Sequence, residues 1–276
     1  MTDMPKTDGA GLLGALVTGL QSGDVEVVDL THTLSPDFPV IVLPPEFGQC
    51  QPFRIEEVSR YDGRGPGWYW NNISMSEHAG THFDAPAHWI SGRNLPRATV
   101  DELPFEKLIG PATILDFSAE SARDEDFLLT RAHLDAWEAA NGPVDAGSWV
   151  LFRTGWSKHL GTAKYLNLRE DGAHSPGPDA SAMEFLVKER DIIGFGTETV
   201  GTDWGQGNHL SPPYPAHFIL HGNGRYGLQC LTGLDRLPVR GAVLFAAPLK
   251  IRNGSGSPLR AFAFVPRVNG IGKGSR

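Results

Sequence analysis

His78-Ala-Gly-Thr-His82-Phe-Asp84-Ala-Pro-Ala-His88 sets three imidazoles and a carboxylate within eleven residues, a spacing that can surround one divalent cation. Histidines at i and i+4 would share one face of a helix, but Gly80, Thr81 and Pro86 are poor helix residues. An extended strand is expected instead. Side chains of a strand alternate between its faces. The even positions read Asn72, Ser74, Ser76, His78, Gly80, His82 and Asp84, whereas Ile73, Met75, Ala79, Phe83 and Ala85 hold most odd ones. Glu77 and Thr81 are the exceptions. On this reading His78, His82 and Asp84 project the same way, and Gly80 leaves room between the imidazoles for an ion.

Two histidines and one carboxylate leave coordination positions open for water and substrate, as in catalytic rather than structural metal sites. A closed structural site would use thiolates, and the chain has only Cys50 and Cys230, far apart in sequence. A bound divalent cation lowers the pKa of its water from about 15.7 toward about 7 and polarises a carbonyl. A neutral histidine can then take up or relay the proton. No serine nucleophile competes. Gly-x-Ser-x-Gly is absent, and Gly254-Ser-Gly-Ser reads as a turn. Cys230, within the mostly apolar run Leu228 to Leu231, reads as a buried small residue.

The string His78-x-Gly-Thr-His82-x-Asp84-x-Pro86-x-His88 resembles the signature of the cyclase-like metal-dependent hydrolases, which include bacterial kynurenine formamidases and isatin hydrolases. The likeness extends to Trp70-Asn-Asn-Ile, Gly196-Thr-Glu-Thr-Val-Gly-Thr-Asp203, Tyr214-Pro-Ala-His217, Arg225 to Leu231 and Ala247 to Ile251. These segments span most of Val25 to Val265, and the later ones look more like the isatin hydrolase branch. The resemblance implies that His78, His82 and Asp84 are metal ligands and His88 the acid/base. It aligns His217 with a histidine that, in the dizinc formamidases, binds a second ion together with a glutamate twelve residues on. Here that position is Gln229. A neutral amide cannot help hold two cations side by side. One ion per site is therefore expected, manganese first and zinc second, with His217 released to bind substrate. Gln229 and His221 are expected to support the site from behind.

The expected reaction is opening of a cyclic amide, isatin to isatinate. An arylformamidase acting on N-formylkynurenine, a metal-assisted lyase or isomerase, and a non-catalytic metal carrier are the rival readings. A planar aromatic lactam calls for a flat apolar pocket with a few donors. Phe53, Trp68, Tyr69, Trp70 and Trp89 flank the ligands, of which Phe53 and Trp89 are the named candidates for substrate contact. Tyr61 to Gly67 is rich in glycine and reads as a loop that closes over the site. Glu198, Thr199 and Asp203 read as loop hydrogen-bonding groups. His32, His133, His159, His174 and His209 read as structural or surface residues.

The formal net charge of -8 argues against nucleic-acid and anionic-membrane binding. Gly9 to Leu20 is the longest tempting apolar stretch, short of the roughly 20 residues that span a bilayer. Asp3 and Asp8 beside a lone Lys6 make it a poor secretory signal, so a cytoplasmic location is expected. It reads as an N-terminal helix within residues 1–24, followed by one hydrolase domain over 25–276. Strands are expected at 26–30, 67–76, 112–117, 149–154, 192–196, 242–247 and 259–265. Thr130 and Asp179 are expected to cap helices over 131–140 and 180–189. Strands outnumber helices, which gives a mixed α/β class. The resemblance adds a swivelling β/β/α fold with a mixed sheet, and a homodimer or larger homo-oligomer in which the N-terminal region reaches a neighbouring subunit.

Overall fold

The computed structural model describes residues 9–267. Nine strands form one mixed sheet, in the order Val25–Asp29, Phe262–Pro266, Ala242–Phe245, Ile109–Asp116, Trp149–Arg153, Gly194–Thr197, Tyr226–Gln229, His82–Asp84 and Gly256–Pro258. The four consecutive strands from Ile109–Asp116 to Tyr226–Gln229 run parallel, and antiparallel strands extend both sides. Alternation along Trp149–Arg153 explains why both faces are covered. Trp149 and Leu151 pack with Phe83, Leu228 and Leu244, while Val150 and Phe152 pack with Leu134, Met183 and Leu186 from the helices.

The expected mixed α/β class with strands in excess is what the structure shows. Helix α1 covers Gly9–Ser22, α2 Ser118–Arg123, α3 Arg131–Asn141, α4 Ala180–Glu184 and α5 Pro215–Gly222. Thr130 caps α3 as expected, in a box whose return partner is His133. Asp179 caps α4 through Ala182 N at 2.8 Å. The helix expected over 180–189 continues past Glu184 as a π-helical turn, Phe185–Glu189.

Two expectations near the site are corrected. Residues 72–84 are not one strand: the strand ends at Ser74, the chain turns, and only His82–Asp84 is extended. Gly80 serves the turn, with φ of +69°, and a Cβ there would meet Leu34 Cδ1 at 2.9 Å rather than fill an ion's space. Nor is Tyr61 to Gly67 a closing loop. Arg54–Asp62 and Gly65–Ser74 pair as a long antiparallel hairpin, whose tip is tied by Arg64 to Glu57 at 2.8 Å and Asp62 at 2.6 Å. No helix of the described residues is long and apolar enough to cross a membrane.

Candidate metal centre

The strand His82–Asp84 lies between Tyr226–Gln229 and Gly256–Pro258, and Asp84 is register-paired with a glycine on each side, Gly227 and Gly256. The pairing is steric. A Cβ on Gly227 would sit 2.9 Å from Asp84 Oδ2, and one on Gly256 would sit 2.4 Å from the His78 ring. Bare backbone on both neighbours leaves the space in which imidazoles surround a carboxylate that is 0% exposed.

His82 and Asp84, two apart on one strand, share a face as the alternation predicts. His78 joins them by a different route: the turn carries it back so that Nδ1 lies 2.8 Å from Asp84 Oδ1. One ligand atom from each of the three residues lies within 4.8 Å of the other two. Asp84, His217 and His221 form a second such group. The first suits a divalent cation on its hydrogen bonding. His82 Nδ1 faces Gly80 O at 2.8 Å and so carries the hydrogen, which leaves an Nε2 lone pair aimed at Asp84 Oδ1 across 3.4 Å. Lone pair facing anion is unfavourable unless a positive charge sits between them.

The second group is differently supplied. Gln229, register-paired with His82, donates from Nε2 to Asp84 Oδ2 in a short contact, and the same nitrogen lies 3.4 Å from His217 Nε2. One oxygen of Asp84 is thereby taken by a neutral amide. His217 is held by Asp203, whose carboxylate contacts His217 Nδ1 closely and accepts from Ala216 N at 2.6 Å and His217 N at 3.3 Å. Asp203 thus occupies the N-terminal end of α5, where free amides and the helix dipole favour an anion. His221, one turn on, gives Nδ1 to Arg225 O at 3.2 Å, and its buried Nε2 has no partner among the described residues.

His88 closes the cluster from the turn Pro86–His88. Its ring stacks on His78 with centroids 3.9 Å apart, and lies 5.5 Å from His217 and 6.0 Å from His221. Trp89 covers His217 at 4.8 Å, and Tyr214 meets Trp89 edge-on at 5.7 Å. Phe53 is 8% exposed at the base of the hairpin, with no ring contact to the imidazoles among the described residues. Glu198 accepts from Thr154 N and Ser157 Oγ at 2.8 Å and from Gly155 N at 2.5 Å, so its work is loop anchoring. Asp203 and Tyr214 are the site neighbours that the sequence reading did not single out for the site. Only the partnership with His217, across a loop, distinguishes Asp203 from its segment.

Charge follows burial and neighbours. Burial works to raise the Asp84 carboxyl, yet His82, His78 and His88 around it hold it well below its ordinary range. Burial pushes His82 down, with His78 and His217 adding to the effect and Asp84 opposing it. Burial pushes His88 down to about 2 and His221 to about 4, so both are neutral imidazoles. His217 is raised: burial opposes its charge, but the hydrogen bond and the charge of Asp203 outweigh it.

Known proteins resemble this chain in sequence and in fold. The Cyclase family model matches residues 28–204. The chain belongs to that family. It is 48% identical over 258 residues to an isatin hydrolase of Roseibium aggregatum, covering 93% of this chain and 98% of that protein. It superposes on isatin hydrolase A from Labrenzia aggregata, solved with benzyl benzoate, at a TM-score of 0.91 and 62% identity, over 93% of this chain and 100% of the other. An isatin hydrolase bound to the product analogue thioisatinate matches at a TM-score of 0.92 and 46% identity, over 95% of this chain and 100% of that one.

Proposed function

We propose that the protein is a metal-dependent hydrolase that opens isatin to isatinate. The observation that carries this is the convergence of the His82 lone pair, His78 and the buried Asp84 on one point, in a chain so close to isatin hydrolases over nearly its whole length. His78, His82 and Asp84 would hold one divalent ion, manganese ahead of zinc. That ion would supply Lewis acidity, polarising the lactam carbonyl and lowering the pKa of water. His88, neutral and within the cluster, accepts the proton of the attacking water and returns one to the ring nitrogen as the C–N bond breaks. His217, kept basic by Asp203, offers a proton to the carboxylate that forms. Trp89 and Tyr214 give aromatic surface beside the imidazoles for an aromatic lactam.

Gln229 favours this reading over an arylformamidase, because its amide occupies an Asp84 oxygen that a second ion would need. The test is side-by-side turnover of isatin and N-formylkynurenine in water enriched in oxygen-18. Label in isatinate is expected. Preference for N-formylkynurenine would move the assignment to the formamidases, and unlabelled product would point to a lyase or isomerase.

The active form is proposed to be a dimer or larger homo-oligomer. A two-stranded ribbon is at best marginally stable alone. The hairpin carries Trp68 at 53%, Trp70 at 56% and Ile73 at 64% exposure, and α1 exposes Leu12 and Leu13. Exposed large apolar side chains on both elements fit cover by a second copy. We place the enzyme in the cytoplasm, with both thiols free.

A further inference from the structure

Gly254-Ser255-Gly256, a turn in the sequence reading, is pressed against the back of the site. Ser255 Oγ lies 2.9 Å from His78 Nε2 and 2.7 Å from Glu77 Oε2, and the same carboxylate oxygen accepts Ser255 N at 3.1 Å. The segment is fixed from both sides. Ala85 N donates to Ser255 O at 2.9 Å, and Gly256 pairs with Asp84 in the sheet. Neither flanking glycine has room for a side chain. A Cβ on Gly254 would meet Glu77 Oε1 at 3.0 Å, and one on Gly256 would meet the His78 ring at 2.4 Å.

Counting hydrogens decides what this contact does. Ser255 Oγ has one hydrogen and two neighbours. If that hydrogen went to His78, Ser255 Oγ and the Glu77 carboxylate would stand as two bare oxygens 2.7 Å apart. Glu77 therefore takes it, and Ser255 can only accept from His78. A cation taken up at Nδ1, which stands 2.8 Å from Asp84 Oδ1, leaves the ring's one hydrogen on Nε2, where Ser255 accepts it. His82 is set the same way by Gly80 O with its nitrogens exchanged. Two lone pairs from opposite ring positions thus meet at one carboxylate oxygen.

We propose that Ser255, held by Glu77, is a positioning residue: it fixes the Nε2–H tautomer and the ring plane of His78 and so presents Nδ1 to the cation site. This rests on the metal reading above. Groups behind a ligating histidine typically change metal affinity by 10–100-fold, and Ser255 reaches His78 from 177 residues away in sequence.

The test uses the full chain stripped of metal, with Mn2+ titrated by calorimetry and the His78 ring nitrogens read by 15N NMR near pH 8 after reloading with diamagnetic Zn2+. The unaltered protein should show His78 protonated on Nε2 alone and should bind Mn2+. Ser255→Ala should weaken Mn2+ binding 10–100-fold and release the tautomer, with the melting temperature of the metal-free protein changed little. Ser255→Thr, which keeps the hydroxyl, should retain the tautomer. Glu77→Gln should bind Mn2+ with intermediate affinity, because its carbonyl still accepts from Ser255 but its charge is gone. His78 found protonated on Nδ1 or on both nitrogens overturns the proposal, even if Ser255→Ala fails to fold. Equal Mn2+ affinity in Ser255→Ala overturns the role of Ser255 alone, whereas no Mn2+ binding to the unaltered protein overturns the metal reading and this role together.

Discussion

Replacing Gln229 with glutamate would convert the neutral partner of Asp84 into a second carboxylate, and the outcome separates a one-ion site from a two-ion site. Gln229 is 5% exposed and Asp84 is 0%, and their side chains touch. Two like charges about 4 Å apart at an effective dielectric near 20 repel by about 4 kcal/mol. For a chain of this size each kcal/mol lowers the melting temperature by about 2–4 °C, so metal-free Gln229→Glu should melt about 10 °C below the parent at pH 7.5. The sign with pH follows. The new pair has at least one carboxyl raised in the folded state, so the loss is full above that raised pKa and is relieved as pH falls through it. Zinc should restore stability by bridging the introduced carboxylate, Asp84 and His217, and metal analysis after gel filtration should rise from one ion per chain to two. Calorimetry and elemental analysis measure both. An unchanged metal-free melting temperature together with a single ion would refute the reasoning that Gln229 keeps the second group empty.

His88→Ala should lower turnover on the order of 10²–10⁴-fold while leaving bound metal at one equivalent, as measured by steady-state rates and elemental analysis. Asp203→Asn should cost about 1.5–3 kcal/mol by removing a charged hydrogen bond to buried His217. Because the folded pKa of His217 is raised above 6.5, that contribution is full below about 6.5 and fades as pH rises through the folded value. Denaturant melts of the variant should therefore diverge from the parent at acid pH and converge at alkaline pH. Trp68→Glu with Trp70→Glu should reduce the solution mass to that of one chain in sedimentation experiments, since both side chains are more than half exposed on a ribbon that needs a cover.

What could be read from the sequence divides along the reach of each interaction. His82 and Asp84 share a strand face because the period is two, and that is visible in the letters. The same rule misplaced His78, since the turn at Gly80 interrupts the strand and convergence comes from chain reversal. The caps at Thr130 and Asp179 are local and were legible, whereas the π-turn after Glu184 has no comparable signal. Glycine density suggested a lid at Tyr61 to Gly67, but the β-branched and aromatic residues on both sides pair into a ribbon instead. Asp203 and Ser255 were beyond reach for one reason. Their partners arrive on helix α5 and through the pairing of Gly256–Pro258 with His82–Asp84, and such tertiary contacts leave no spacing to count.

If one cation held by His78, His82 and Asp84 drives the hydrolysis, metal-stripped protein titrated with Mn2+ while isatin loss is followed by absorbance tests it most directly. Activity should rise linearly and level at one equivalent per chain, and Asp84→Asn should stay inactive throughout. Full turnover before any metal is added, or equal turnover by Asp84→Asn, would contradict it.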